Sequence, residues 1–587
     1  MPSNKIDTSK VSTNELRNEF DKVINASKPK MASIFSEYAS NYESEHILNL
    51  ITGLQLLPEN HGKNIRIELI AKETVINLNS LEESNYKKLQ EVISIGYPHH
   101  YLEDPPEGLF TENALFHGGN YTVMPGIFAK AGDIFRALSE SIFILKNNLT
   151  QKFRDELYQG ITILLELGQI IFSKAGLRPN MYIEKLENRL IFPEIITDYS
   201  FSLEEIESIC RNKGIGIKIF QELIVSHTDE NFKYEDADLN PLLYKPLVSF
   251  NGKIYFPLIS AQCGAINEFI INTAIKYKCG KDLLVTYNNL VWNDILQATK
   301  KMGWILTNIK LPDSRNESIM REAILQFDNH RLCYTIFIQP HEISNKYDEQ
   351  KKYEHKESNN KIAATIKYIS QHPFYKEYKL LVLVILCEIG RNTYLRIDRP
   401  TNGEEMIYFN AFDFLILSKA EKWNALSLYK YAKVYREFSE KVNVISTATI
   451  DTYSMYKSKD QSFYFNDEKL PNFITITPGT GADLYREAKQ KIDLRGILNS
   501  FNGVKGYEVV ERFKHFDNIY KPFHRTSNEC LLVNSYSFPI WVNSSQEESE
   551  FYFVIIEALA FWLDKMKNDL NPLLQNCQFD LLSINLE

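Results

Sequence analysis

The sequence lacks the features that would assign it to an oxidising compartment or to a membrane. Its seven cysteines are widely scattered and none belongs to a Cys-x-x-Cys pair, which favours free thiols in reducing surroundings over a zinc or redox site. The longest apolar run, Phe551–Leu563, is interrupted by Glu557 and is too short to span a bilayer. The polar start has no apolar stretch of the kind found in secretory signals. We therefore expect a cytoplasmic protein that makes no membrane contact.

An excess of positive charge is also missing, since the formal net charge is -9. Phosphate neutralisation dominates non-specific affinity for nucleic acid, so this balance argues against a surface that is basic throughout. It leaves room for a local basic groove, because the total charge says little about one face. A phosphate loop is missing too: the glycine segment Pro478–Ala482 lacks the lysine of the Walker pattern, so a structural turn explains it better.

The residues that are present have the composition of a large globular chain. The 587 residues are 44% hydrophobic and 24% charged, which predicts several domains with ordinary cores. Aromatic residues make up 12%, which indicates well-filled cores or broad contact surfaces. The alternation of helical periods with short β-branched runs predicts an α/β multidomain fold.

Periodicity, capping boxes and turn signals divide the chain into five expected regions. The capping boxes are Ser202–Glu205 and Ser418–Glu421, and the strongest hairpin signal is Asn251-Gly252. The apolar run Phe551–Leu563 is predicted to be a buried helix face. The regions are a mainly helical N-terminal region (1–180), a small helical module (181–245), an α/β core with a mixed sheet (246–400), a helical connector (401–459) and a C-terminal α/β domain (460–587).

Within the core, Leu290–Ile397 predicts the order helix, strand, hairpin of two strands, charged loop, helix, strand. The hairpin is Arg321–Gln339, and the apolar run Leu380–Leu386 is typical of a strand buried on both faces. Asn359–Gln371 has the period of an amphipathic helix. The charged run Lys346–Lys361 has mixed signs, which favours a solvated loop over a loop that contacts phosphate.

This order of elements resembles that of the PD-(D/E)xK, or restriction-endonuclease-like, superfamily, in a degenerate form. The resemblance implies a metal-binding Asp on the second strand and a Glu-x-Lys pair on the third. Here the second strand offers Glu322, followed by Ala323 and Ile324 where an Asp would be wanted, and the third offers Thr335–Ile338, all unsuited to Mg²⁺. Mg²⁺ needs carboxylate oxygens, so the resemblance implies the fold without its usual chemistry.

Weak candidate residues remain around this hairpin. Glu322, Gln339 and His341 are the catalytic candidates, although a neutral Gln is a weak Mg²⁺ ligand and His prefers softer metals. Glu322, Asp328 and Glu342 are the carboxylates available to a metal. The structural interpretation is preferred, in which Glu322 is an edge-strand charge and His341 a loop residue. We expect no cofactor, with Mg²⁺ required only if the chain is an active nuclease.

Three functions stay open at this point. The first is a non-catalytic subunit or scaffold of a bacterial multi-protein system, in anti-phage defence or DNA metabolism, to which the layout is similar at the level of architecture. The second is a metal-dependent nuclease whose catalytic residues have migrated, and the third is a pure assembly protein with no nucleic-acid role. The expected partners are one or more proteins, with a nucleic acid or a second copy as further candidates. Exposed aromatic side chains around Phe538 and Trp541 are predicted to form a contact surface.

Overall fold

A computed structural model of the chain describes residues 33–56, 64–81, 112–116, 119–124, 130–145, 148–177, 198–233, 240–309, 311, 320–339, 349–387, 405–420, 425–445, 449–463, 473–476, 481, 484, 507–509, 529–532, 540–544 and 553–556. These residues fall into two compact units. We call the described residues between Asn288 and Gln490 the sheet unit. The helical unit comprises those between Lys30 and Tyr287 and those after Lys491.

The helical unit combines amphipathic helices with three small sheets. The sheets have the strand orders β16–β1–β2, β3–β5–β4 and β13–β15–β14. The elements are α1 (33–41), α2 (Ser44–Gln55), α3 (Asn64–Ile76), β1 (Glu112–Phe116), β2 (Gly119–Val123), α4 (Lys130–Leu145), α5 (Gln151–Lys174), β3 (Phe201–Ser202), α6 (Leu203–Lys213), α7 (Ile217–Glu222), β4 (Val248–Phe250), β5 (Lys253–Tyr255), α8 (Gln262–Lys276), α9 (Gly280–Lys301, which ends in the sheet unit), β13 (Tyr507–Val509), β14 (Glu529–Leu532), β15 (Ile540–Ser544) and β16 (Phe553–Ile556).

Helices α5 and α8 pack closely in the core of the helical unit. A Cβ added at Gly160 would lie 2.0 Å from Cζ of Phe269, so the ring occupies the space that any larger residue would need. An ion pair also joins the two helices: Nζ of Lys276, at the end of α8, lies 2.5 Å from Oε1 of Glu156 on α5. The glycine is thus required by the close approach of the two helices.

The hairpin predicted at Asn251-Gly252 is confirmed. Val248–Phe250 pairs antiparallel with Lys253–Tyr255, and φ is 47° at Asn251 and 75° at Gly252. Both turn positions have positive φ, as a two-residue hairpin connection requires. The hairpin belongs to the small sheet of the helical unit, because β5 also pairs with Phe201–Ser202.

The prediction that Phe551–Leu563 is a helix is wrong for Phe553–Ile556, the part of this segment that the structure describes. Residues Phe553–Ile556 form strand β16, which pairs antiparallel with Asn113–Phe116 of β1. The segment Val554–Ile556 is β-branched throughout, and such residues favour strands when a partner strand is present. Phe538 lies outside the described residues, and so does the side chain of Trp541.

The capping box predicted at Ser202 is confirmed. The Glu205 backbone amide donates to Oγ of Ser202 at 3.1 Å, and the Ser202 amide donates to Oε2 of Glu205 at 2.7 Å. Two amides at the start of α6 that have no helical partner are thereby satisfied.

Replacing Ser202 with Ala is expected to destabilise α6 by about 1 kcal/mol, since a helix N-cap hydroxyl contributes roughly that amount. Ser202→Asp should keep the stability, because its carboxylate accepts the same bond. Hydrogen exchange of the α6 amides measures the difference. Equal protection in the Ala and Asp variants would contradict a capping role.

The sheet unit is built on one mixed five-stranded sheet. Its order is β10–β9–β8–β7–β6; β6, β7 and β8 are antiparallel neighbours, and β9 runs parallel to both β8 and β10. The elements are the end of α9, β6 (Ile305–Leu306), β7 (Met320–Asp328), β8 (Arg331–Ile338), α10 (Glu349–Gln371), β9 (Lys379–Leu386), β10 (Glu405–Asn410), α11 (Ala411–Ala420), α12 (Ala425–Ser439), β11 (Asn443–Ile445), α13 (Thr449–Ser458) and β12 (Phe473–Thr475).

Both faces of the central strands are covered, as the continuous apolar run predicts. On one face, α10 packs Ile362, Ile366 and Ile369 against a set of strand residues. On the other, Phe337 stacks on Trp292 of α9 with ring centroids 5.4 Å apart. The prediction of a mixed sheet with Leu380–Leu386 inside it is therefore confirmed, and the chain is a mixed α/β protein. The strand residues packed with α10 include Tyr334, Ile336, Val382 and Val384.

Two local predictions in this unit are wrong. The charged run Lys346–Lys361 is helical from Glu349 onward, because Lys, Glu and Gln are good helix formers and the run contains no Gly or Pro. Ser418 does not cap a helix: it lies inside Ala411–Ala420, and its Oγ donates to the carbonyl of Leu415 at 2.7 Å.

The sheet also extends beyond the expected end of the core at residue 400. Glu405–Asn410 forms the fifth strand, parallel to β9, where a helical connector is predicted. Across the described residues, no helix combines the length and apolarity needed to cross a membrane.

Candidate functional site

The candidate site lies on the face of the sheet that α10 covers. Glu322 on β7 is opposite Ile336 on β8, and Tyr334 on β8 is opposite Ile324. Cross-strand partners point to the same face of a sheet, so Glu322 shares this face with residues that pack against α10. Its side chain is only 6% exposed, which makes it a buried carboxylate rather than the edge-strand charge that the sequence indicates.

Four side chains form what we call the Glu322 cluster: Glu322, Tyr334, Lys361 and Thr365. The Tyr334 hydroxyl donates to Oε1 of Glu322, and the Thr365 hydroxyl lies 3.5 Å from the same oxygen. Lys361 Nζ lies 2.5 Å from Oε2, with 21% of the lysine side chain exposed. Both carboxylate oxygens therefore have a partner, as a buried charge requires.

The electrostatics of the cluster keep Tyr334 protonated. Burial, and then the negative charge of Glu322, raises the pKa of the Tyr334 phenol well above its ordinary value. A phenol in that state remains a hydrogen-bond donor at neutral pH. The cluster thus consists of a carboxylate, an ammonium and two hydroxyls.

Helix α10 supplies two members of the cluster through its periodicity. Lys361 and Thr365 are four residues apart, so both lie on one helix face beside the apolar stripe of Ile362 and Ile366. A lysine and a threonine four residues apart, beside the apolar stripe of a helix, are a signal in the sequence that was not used to predict this cluster. The partner of the lysine on β7 is not visible in the sequence, because 39 residues separate Lys361 from Glu322.

Asp328 is placed at the other end of β7, in the turn of the hairpin. Six residues on a strand span roughly 20 Å, so Asp328 and Glu322 lie too far apart to share one ion. Partial burial of Asp328 opposes its ionisation, but hydrogen bonds from the His330 backbone and from Arg331 together outweigh it and lower the pKa of the carboxyl. Arg331 Nη1 lies 2.5 Å from Oδ2 of Asp328, which makes this a turn-closing ion pair.

Of the remaining candidates, Gln339 is not part of the cluster. Gln339 follows the last residue of β8 and is buried, three positions beyond the residue opposite Glu322. His341 and Glu342 lie outside the described residues. On β8, Cys333 and Thr335 point to the opposite face from Tyr334, and burial raises the pKa of the Cys333 thiol to about 12.

The donor set of the Glu322 cluster does not fit Mg²⁺. That ion takes near-octahedral oxygen ligands and is held by carboxylates, whereas the cluster has one carboxylate, already bound by an ammonium. In the part of the chain that the structure describes, no three His, Cys, Asp or Glu side chains are grouped to hold a metal ion. The arrangement is therefore a buried ion pair with two hydroxyl donors.

The glycine segment near residue 480 is tied to a carboxylate. The Gly481 amide donates to Oδ1 of Asp451 at 2.8 Å, and a Cβ at this glycine would meet the Ile450 backbone carbonyl carbon at 3.2 Å. An amide that binds a protein carboxylate is not offered to a phosphate. The contact agrees with the structural turn preferred from the sequence.

Comparison with known proteins adds no further assignment. The chain matches no protein-family model, no curated protein and no solved structure.

Proposed function

We propose that the sheet unit is a non-catalytic, nuclease-like platform that contacts a partner protein or a nucleic acid within a bacterial multi-protein system. The observation that carries the proposal is the buried Glu322–Lys361 pair. On the strand where the resemblance implies a metal-binding acid, this chain has Glu322, whose two oxygens are bound by its own side chains.

The topology of the unit supports the resemblance. Helix α9 precedes three antiparallel strands, helix α10 follows, and β9 returns parallel to β8. This is the order in which the superfamily places its acid on the second strand, here β7. Setting the proposed system in anti-phage defence or DNA metabolism rests on similarity of architecture alone.

The energetics of the pair oppose metal binding at this point. An ion entering the cluster would have to displace the Lys361 ammonium from a carboxylate that is only 6% exposed. The ion would neutralise Glu322, but the displaced Lys361 ammonium would lose its carboxylate partner, and an unpaired charge at a buried position is strongly unfavourable. We infer that the pair replaces a metal rather than awaiting one.

The test is a nuclease assay on the purified full chain with Mg²⁺ or Mn²⁺. We expect no degradation of single- or double-stranded DNA or RNA above background, because the cluster supplies one carboxylate where a metal needs several oxygens. Glu322→Gln, purified identically, controls for contaminating nuclease. Cleavage by the native chain that disappears in this variant would overturn the proposal.

A second candidate is an active nuclease with migrated residues. One observation favours it: Lys361 reaches Glu322 from α10, so an acid and a lysine do meet, although not from the second and third strands. If this candidate holds, Glu322→Gln and Lys361→Met both abolish cleavage. Lys433→Met, at a position where the side chain is 52% exposed, should leave it unchanged.

A further inference from the structure

An exposed aromatic segment runs from the last turn of α10 to the first residue of β9. We call Tyr368 together with His372–Lys379 the aromatic turn. Phe374 is 82% exposed, more than any other large hydrophobic side chain among the described residues, and Tyr368 is 38% exposed. Single exposed apolar side chains are common, so Phe374 gains meaning only from its neighbours.

The neighbours of Phe374 form a row of rings. His372 lies 6.1 Å from Phe374 and 5.2 Å from Tyr375, centroid to centroid, and Tyr375 lies 5.1 Å from Tyr378. Tyr368 extends the row at 6.2 Å from His372. Five rings therefore contact one another within one short segment, and Phe374 is the most exposed of them.

The aromatic turn is fixed to the core of the sheet unit by two of its tyrosines. Tyr375 and Tyr378 pack against the core between the sheet and α10. Backbone bonds close the turn, from Tyr375 and Lys376 to the His372 carbonyl, each at 3.0 Å, and from Tyr378 to Tyr375 at 2.9 Å. A backbone closed in this way loses little freedom when a ligand binds, so the turn presents Phe374 from a fixed position.

Two lysines follow Phe374 in the aromatic turn. Lys376 and Lys379 are both exposed, and Glu377 is the one carboxylate within the turn. The Lys379 amide donates to the His330 carbonyl at 2.8 Å, which brings the hairpin turn, with its Asp328–Arg331 ion pair, to the same end of the sheet.

The composition of the turn decides which partner fits it. Protein interface cores are apolar and depleted in Lys and Glu, whereas most of the exposed residues around Phe374 are polar or charged. Proteins that bind single-stranded nucleic acid combine rings on which bases stack with cations that meet the backbone phosphates. A duplex fits less well, because its bases are already stacked.

We propose that the aromatic turn binds single-stranded nucleic acid, with a base on Phe374 and backbone phosphates at Lys376 and Lys379. This inference rests on the proposed function, since it names the partner class of the same platform. The inference can be tested separately from the proposed function, because Glu322 lies near the end of β7 that is far from the hairpin turn.

The experiment uses the full native chain and fluorescein-labelled oligo-dT and oligo-U of twenty nucleotides, followed by anisotropy. Phe374→Ala should weaken binding by at least about fivefold, the lower end for loss of one stacked base, and Phe374→Trp should restore it. Lys376→Gln should reduce the slope of log K against log salt by about 0.7, the value for one phosphate contact on a single strand.

Two matched controls define the result. Leu426→Ala removes another exposed hydrophobic side chain, 45% exposed, and Lys433→Gln removes an exposed lysine of α12; neither should alter binding. No binding, equal binding by Phe374→Ala, or equally tight binding of duplex would overturn the inference. If the chain neither binds nor cleaves nucleic acid, the inference about the aromatic turn fails, but the proposal of a platform stands with a protein as its partner. If the chain binds nucleic acid and cleaves it in a Glu322-dependent way, the proposal of a non-catalytic platform fails and the inference stands.

Discussion

Replacing Lys361 with methionine is expected to destabilise the sheet unit by about 3 kcal/mol. The substitution keeps most of the side-chain volume but removes the charge that lies 2.5 Å from Glu322. Breaking a buried ion pair from one side costs about 3–5 kcal/mol, because the other charge stays buried and unpaired. The lower end applies here, since 21% of the Lys361 side chain is exposed.

Hydrogen exchange of the β7 and β8 amides measures this loss within the sheet unit, independently of the rest of the chain. The matched control is Lys433→Met, the same substitution in an exposed pair with Glu437 at 3.8 Å, which should change stability by less than about 1 kcal/mol.

A double variant shows whether the unpaired charge is the cause. Glu322→Gln combined with Lys361→Met leaves no buried charge and should recover much of the lost stability, as coupled neighbours do in a double-mutant cycle. If Lys361→Met is no more destabilising than Lys433→Met, the buried pair does not form. The proposal of a platform would then lose the observation that carries it.

Gly160→Ala should destabilise the helical unit by about 2 kcal/mol. Alanine is the better helix former by about 1 kcal/mol, so the substitution would stabilise α5 if there were space for the methyl group. Its Cβ would instead lie 2.0 Å from Cζ of Phe269, a side chain buried between the helices. Overpacking a core costs about 1–3 kcal/mol. At so short a distance we expect a cost at the upper end of this range, which exceeds the gain in helix propensity.

Gly264 on α8 is the matched control. A Cβ at Gly264 would meet no atom within 4 Å, so Gly264→Ala should stabilise by about 0.5–1 kcal/mol through helix propensity alone. Hydrogen exchange of the α5 amides compares the two variants. If both raise protection, α5 and α8 do not pack as closely as the structure has them.

Elements specified by local patterns could be predicted from the sequence. The helix predicted at Asn359–Gln371 follows a period of 3.6 and lies within Glu349–Gln371. The hairpin at Asn251-Gly252 follows from turn positions that need positive φ. The Ser202 capping box needs only residues within one turn of each other. In each case the residues that interact are close in sequence, so the pattern itself carries the information.

Features that depend on distant partners were decided by tertiary structure alone. Glu405–Asn410 and Phe553–Ile556 become strands because β9 and β1 lie beside them. Glu322 is a buried, neutralised acid because Lys361 reaches it from α10. The sequence by itself determined a mixed α/β chain with a hairpin and a strand buried on both faces. The pairing of Glu322 with Lys361 depended on the packing of a helix on a sheet. A contact between residues far apart in the chain produces no periodic pattern in either segment, so the sequence does not reveal it.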